Sequence, residues 1–242
     1  MTTMTFNPVR RAAPPIGLAL GSVAGTALLA AGIWNALIQG HVTVPAAPSG
    51  IGPPVPPLQA MHAYYTWYAG TVGQQRADTV VAMIGVSGLA LLADALRRRA
   101  DADLVTRAAC TAIGTGSVVW LIGALIGIGG HRAVGLMATH GNPVAGVNSI
   151  AFTVDVTADA FSAAAFILLG LAMVGIGVTP VPAGSRRWTT LSTVTGLVSL
   201  VVAIGYLQGV DSVTTYVLGA LAAVLLPAWL VWTGHILDSV DS

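Results

Sequence analysis

Asp155 and Asp159 stand four residues apart at the start of a long apolar run. On a helix that spacing puts both carboxylates on one face, and Asn148 and Ser162 fall on or near it. Ionisable groups at membrane depth are costly, so each is a functional hypothesis by default. A stripe of this composition suits proton or cation handling, and it equally suits polar packing or loop capping. The uncharged stretch that follows, 160–178, is already nineteen residues long. That length sets the aspartates at or just above the membrane boundary.

Imidazoles supply the other candidate chemistry. His131, His140 and His62, with Asp155 and Asp159, form a donor set of the kind that binds zinc or copper. His41, Asp78 and Asp211 are expected on the same side of the membrane. None of these positions has the spacing of a tight metal motif. His235, beside Trp232, is a type of residue that ligates haem. No second histidine lies at its depth, which favours an interfacial role. The cofactor is left open at this stage.

Enzyme classes are narrowed by what is missing. The chain has ten arginines and nine aspartates but no lysine and no glutamate. A Walker A lysine and an HExxH helix are therefore excluded. Cys110 is the lone cysteine, so neither a CxxC site nor an intrachain disulfide can form. No basic stripe with interleaved aromatics is present, so nucleic acid is a poor partner.

The elements that position these groups follow from composition. Of 242 residues, 55% are apolar and only 8% charged, with a mean hydropathy of +0.81. Soluble domains carry about a quarter charged residues. Six apolar segments, 16–38, 77–96, 104–129, 149–178, 188–207 and 213–236, each approach the roughly 20 residues that cross a bilayer as a helix. The runs lack the alternation of barrel strands. The expected fold is therefore all-α, a single domain of six transmembrane helices with a short outer interfacial helix. Arg10 and Arg11 precede the first run as in a signal peptide, but the run is longer than a typical h-region and reads as a retained span.

Arginine placement gives an orientation. With the N-terminus in the cytoplasm, eight arginines (10, 11, 97, 98, 99, 107, 186 and 187) fall inside and only Arg76 and Arg132 outside. Both termini are then cytoplasmic. Asp94 is spaced to pair with Arg97 and Arg98, and Asp101 and Asp103 offset the arginine run. The outer loop 39–76 has a proline-rich part, 42–57, expected to be extended. Its second part carries His62, Tyr64, Tyr65, Trp67 and Tyr68, residues that suit an interface anchor or a ligand-contacting lid.

Packing signals are also present. Gly17, Gly21 and Gly25 recur every four residues on the first span, and Gly123 and Gly127 repeat the spacing on the third. Such faces let helices approach closely, within the chain or with a partner or second copy. Pro227 is expected to kink or loosen the sixth span.

The second half resembles a family of small six-helix, actinobacterial-like integral membrane proteins of unknown function. Three segments carry the likeness: FILLGLAMVGIGV in the fourth span; Pro182, Arg186, Arg187 and Trp188 leading to a span with Gly196; and LLPAWLVWTGHIL with Pro227, Trp229 and Gly234. The resemblance implies topology and no activity. Arginine without lysine, with abundant alanine, looks like the coding bias of a GC-rich bacterium, so a bacterial plasma membrane is expected. The leading functional expectation is a non-catalytic membrane subunit that binds a partner protein or lipid, with homo-oligomerisation as one form of partnership. A small proton- or cation-linked transporter using Asp155 and Asp159 is the first alternative. A metal- or haem-dependent membrane enzyme with an outer-face histidine–aspartate site is the second.

Overall fold

The structure, a computed structural model, describes residues 16–39, 58–98, 103–179, 186–210 and 216–240. The proline-rich stretch 42–57, His41, Asp211, Arg10, Arg11, Arg99 and Asp101 lie outside them. The described residues form six long antiparallel helices: α1 (Ile16–Gln39), α2 (Leu58–Arg97), α3 (Leu104–Thr139), α4 (Val144–Val178), α5 (Arg186–Gln208) and α6 (218–240). All six are long and apolar enough to cross a membrane. The chain is an all-α, multi-pass bundle.

Three boundaries differ by more than four residues from the sequence expectation. The helix expected over 58–75 is present but is not a separate interfacial element. It runs without a break into the second span, giving one helix of 40 residues. The third and fourth helices continue past the expected limits at 129 and 149, to Thr139 and back to Val144. The polar pair His131 and Arg132 suggests an end to the third helix by hydropathy alone. The backbone ladder is nevertheless kept, because Val134 and Ala138 pack on Val147 and Ala151 in a small apolar cluster of their own. A four-residue turn joins them, with Gly141 at φ 75° and Pro143 setting the entry to α4.

At 1.5 Å per residue α2, α3 and α4 are about 52–60 Å long, against a hydrocarbon core of about 30 Å. The other three helices are about 35 Å. Gly88 lies against Ala24 and Gly170 against Gly196, which aligns the helices near the end that carries Arg97 and Arg186. The surplus length therefore projects at the opposite, histidine-bearing end.

The helices form a ring in the order α6, α1, α2, α3, α4, α5, and α5 and α6 touch least. Small residues set the close seams, because lipid gives helices no hydrophobic drive to associate. On α1, a Cβ at Gly17 would stand 2.8 Å from the Gly234 carbonyl, and one at Gly21 would run into the Leu230 carbonyl on α6. Gly25 faces Pro227 of the same helix. Gly123 meets Phe161, whereas Gly127 makes only ordinary contact with Ala158. Gly170 and Gly196 face one another between α4 and α5, each Cβ position under 3 Å from the other's carbonyl.

Pro227 is accommodated by a local change of helix type. Leu221–Leu225 is π-helical, and the Leu226 N–H bonds the Leu221 carbonyl five residues back. A proline ring would press on the carbonyl four residues before it, here that of Ala223, and the wider turn makes room.

Asp238 ties the ends of the bundle together. Its carboxylate accepts the Gly17 N–H at 2.9 Å and the Leu18 N–H at 2.7 Å. Two of the four unpaired amides at the start of α1 are thus satisfied by α6. Replacing Asp238 with alanine is expected to cost about 1 kcal/mol, the usual worth of an N-cap. A melt of the variant in detergent checks it, and an unchanged midpoint would mean the cap adds nothing. Asp103 caps α3 in the ordinary local way. The backbone and hydroxyl of Thr106 hold its carboxyl below the usual carboxylate range.

Candidate functional site

The ring surrounds a partly open cavity of about 280 Å³ to which every helix contributes. Leu28 and Gly32 come from α1, Thr79 and Val86 from α2, Ser117 and Trp120 from α3, Phe166 and Leu169 from α4, Tyr206 from α5, and Gly219 and Leu226 from α6. The wall is mostly apolar. The contribution of α6 comes from the π-helical stretch and its flanks, with Gly219, Ala222 and Leu226 on the lining. Such single wide turns recur at functional sites.

Aromatic packing below explains why the cavity stops where it does. Trp188 and Trp229 are both fully buried and stack with centroids 6.3 Å apart and planes 24° from parallel. The Trp188 indole N–H donates to Thr233 Oγ1 at 3.0 Å, and that of Trp229 donates to Ser192 Oγ at 2.8 Å. Ser192 in turn donates to the Trp188 carbonyl at 2.9 Å. This closed set of hydrogen bonds fills the α5–α6 seam toward the arginine end. Leu92, Ile113 and Met173, also fully buried, complete the plug.

Toward the histidine end the wall becomes polar. On α4, positions 155, 159, 162 and 166 are spaced four, three and four apart and so share one stripe. Phe166 lines the cavity and stacks on Tyr206 at 6.0 Å, with planes 9° from parallel. Ser162 hydrogen-bonds the Tyr206 phenol, and Asp159, one turn beyond Ser162, is exposed. Tyr206 lies two residues from the end of α5, so Asp159 is level with that end and Asp155 is one turn farther out. Asn148, two turns beyond Asp155, is buried.

His131 of α3 meets Asp155 of α4, with Nε2 and Oδ1 2.5 Å apart. Nearby, Arg76 of α2 donates from its guanidinium to the Ile128 carbonyl of α3 at 2.6 Å. These bonds cross-link the three long helices just above the cavity. The Asp155 and His131 side chains are 43% and 27% exposed, so the pair is a solvated link and contributes under about 1 kcal/mol.

The remaining candidates are scattered. Among the described residues no three histidine, cysteine or acidic side chains come together as a metal site. His140 turns its Nδ1 to the Leu136 carbonyl of its own helix at 2.7 Å. His62 lies in the first half of α2, and its side chain is outside the described set. His235 is exposed on α6. Asp94 pairs with Arg97 at 2.7 Å and Arg98 at 2.6 Å. Cys110 is buried in the core.

No family model, curated protein or solved structure matches the chain. Two of the contacts join segments that carry the sequence resemblance: Trp188 with Trp229, and Gly196 with Gly170.

Tyr206, Phe166 and Trp120 were not marked by their spacing. A lone tyrosine near the end of a span was the available signal for the first. Nothing in the order of residues pairs it with Ser162 on another helix.

Proposed function

We propose that the protein is a non-catalytic, multi-pass membrane protein that binds a small apolar or amphipathic molecule, such as part of a lipid, inside its helix bundle. The observation that carries this reading is the cavity walled by all six helices. Its size is near the lower end of ligand pockets, about 300–1,000 Å³. The first-span glycines, a feature that suits a partner face, are covered by α6. A partner protein or a second copy would dock on another face.

Ala82 lines the cavity. Filling the space with Ala82→Phe is expected to abolish retention of small molecules by the purified protein. Solvent extraction and mass spectrometry of both forms check it. Equal, or equally empty, extracts would defeat the proposal.

The proton- or cation-linked transporter is the second reading. It is favoured by a cavity wall that includes the π-helical break beside Pro227, a type of interruption transporters use at binding sites. Solute flux into liposomes that is unaltered by Asp155→Asn with Asp159→Asn would remove it. For location, we propose a bacterial plasma membrane with both termini in the cytoplasm, supported by the arginine distribution. Labelling near residue 186 from outside intact cells would contradict that orientation.

A further inference from the structure

The arginine end of the bundle holds a pocket built by two helices. Arg97 and Arg98, at the end of α2, and Arg107, one turn into α3, line it with Leu104, Ala108 and Thr111. Asp94 bonds Arg97 at 2.7 Å and Arg98 at 2.6 Å, so two guanidiniums share one carboxylate. That fixes both cations in place and neutralises only one of them. Arg107 has no carboxylate partner among the described residues. Asp103, at the start of α3, is turned to the Thr106 amide as an N-cap. Arg99 and Asp101 carry opposite charges, which leaves the balance over 94–107 positive. Most of the N–H donors on the three lining arginines are unused.

The helix face leading away from the pocket is apolar. On α3, positions 104, 108, 111, 115, 118, 122 and 125 alternate four and three apart and share one stripe. Leu104 is 84% exposed, and Val118, Ile122 and Leu125 are exposed with it. Thr111 and Thr115 donate their hydroxyls to the Arg107 and Thr111 carbonyls, so neither proton faces outward. In a membrane this stripe lies against lipid. Half the hydrocarbon core, about 15 Å, corresponds to about ten helical residues, here 108–118.

We infer that the pocket holds the headgroup phosphate of an anionic phospholipid, with Arg97, Arg98 and Arg107 on its oxygens and one acyl chain along 108–118 of α3. Guanidiniums bind phosphate oxygens through paired N–H groups. Basic pockets between membrane helices suit such headgroups. The surplus positive charge selects an anionic lipid over a zwitterionic one, whose own cation it repels. An acidic protein segment would satisfy the arginines but leave the apolar stripe without a role. The pocket is separate from the central cavity and does not depend on what fills it.

The test uses the full chain in neutral detergent with equal amounts of dioleoylphosphatidylglycerol and dioleoylphosphatidylcholine, which have the same tails. Native mass spectrometry counts the lipid retained. The glycerol lipid is expected to be held about tenfold more than the choline lipid. Arg107→Gln should cut that preference about fivefold, and Arg107→Lys should keep most of it. Arg107 is exposed, so the fold survives either change. Arg132→Gln, at the opposite end, should leave the preference as it was. Equal retention of the two lipids overturns the inference. A preference that Arg107→Gln leaves intact, or that Arg132→Gln lowers as much, also overturns it, since overall charge would then account for the binding. Displacement of the glycerol lipid by excess inorganic phosphate, at matched ionic strength, would assign the pocket to a soluble phosphate and overturn the lipid.

Discussion

Gly21→Leu is expected to destabilise the bundle by about 3 kcal/mol or more, at the upper end of overpacking costs. Any side chain at this position begins with a Cβ that would collide with the Leu230 carbonyl, and main chain cannot swing aside as a flexible side chain does. α1 and α6 would have to separate. In lipid, separation forfeits the dispersion contacts that hold them. Cys110 provides the readout: it is the sole thiol and is 2% exposed, so a thiol-reactive dye reports opening of the core. Gly114→Leu is the control, since nothing lies within 4 Å of its Cβ position. It should stay within about 0.5 kcal/mol of the native protein. Equal labelling of the two variants would mean α1 does not seat on α6 as described.

Trp229→Ala should cost about 3–5 kcal/mol, the range for removing a buried tryptophan. The substitution empties a fully buried site, ends the stack on Trp188 and removes the indole donor that Ser192 accepts. Trp229→Phe separates these contributions. It keeps a ring against Trp188 and loses the N–H, for an expected cost of about 1 kcal/mol. Because α5 and α6 touch little elsewhere, the loss should fall on that seam. Faster amide exchange in the first turns of α5 than in α3 would be its mark. A Trp229→Ala protein that melts with the native one would show that the indole pair does not hold the seam.

The six crossings are legible in the order of residues because hydropathy over some twenty positions needs no knowledge of the partner. Helix ends were less legible. His131 and Arg132 lower the hydropathy, yet the third helix continues through them and the fourth starts before 149, as extensions joined at 134, 138, 147 and 151. Which faces meet was the hardest part. In a soluble helix an apolar stripe marks the inside. In α4, Leu171 is 59% exposed and Met173 fully buried, and both are apolar. Polarity cannot separate lipid from core there. The aspartate stripe was visible for the converse reason, since polar groups stand out against such a background. Its link to Tyr206 depends on the rotation of α5, which composition does not encode.

The contact of Asp238 with the first turn of α1 spans 221 positions of the chain. Of the six described helices, α1 thus meets its glycine-matched neighbour α6 only after the other four have been made. Until α6 is made and enters the bilayer, Gly17, Gly21 and Gly25 lack the helix that covers them, and the opening amides of α1 lack the Asp238 carboxylate. Closure of the ring is accordingly a late assembly step, and truncation within the final helix would leave the first one without its lateral support.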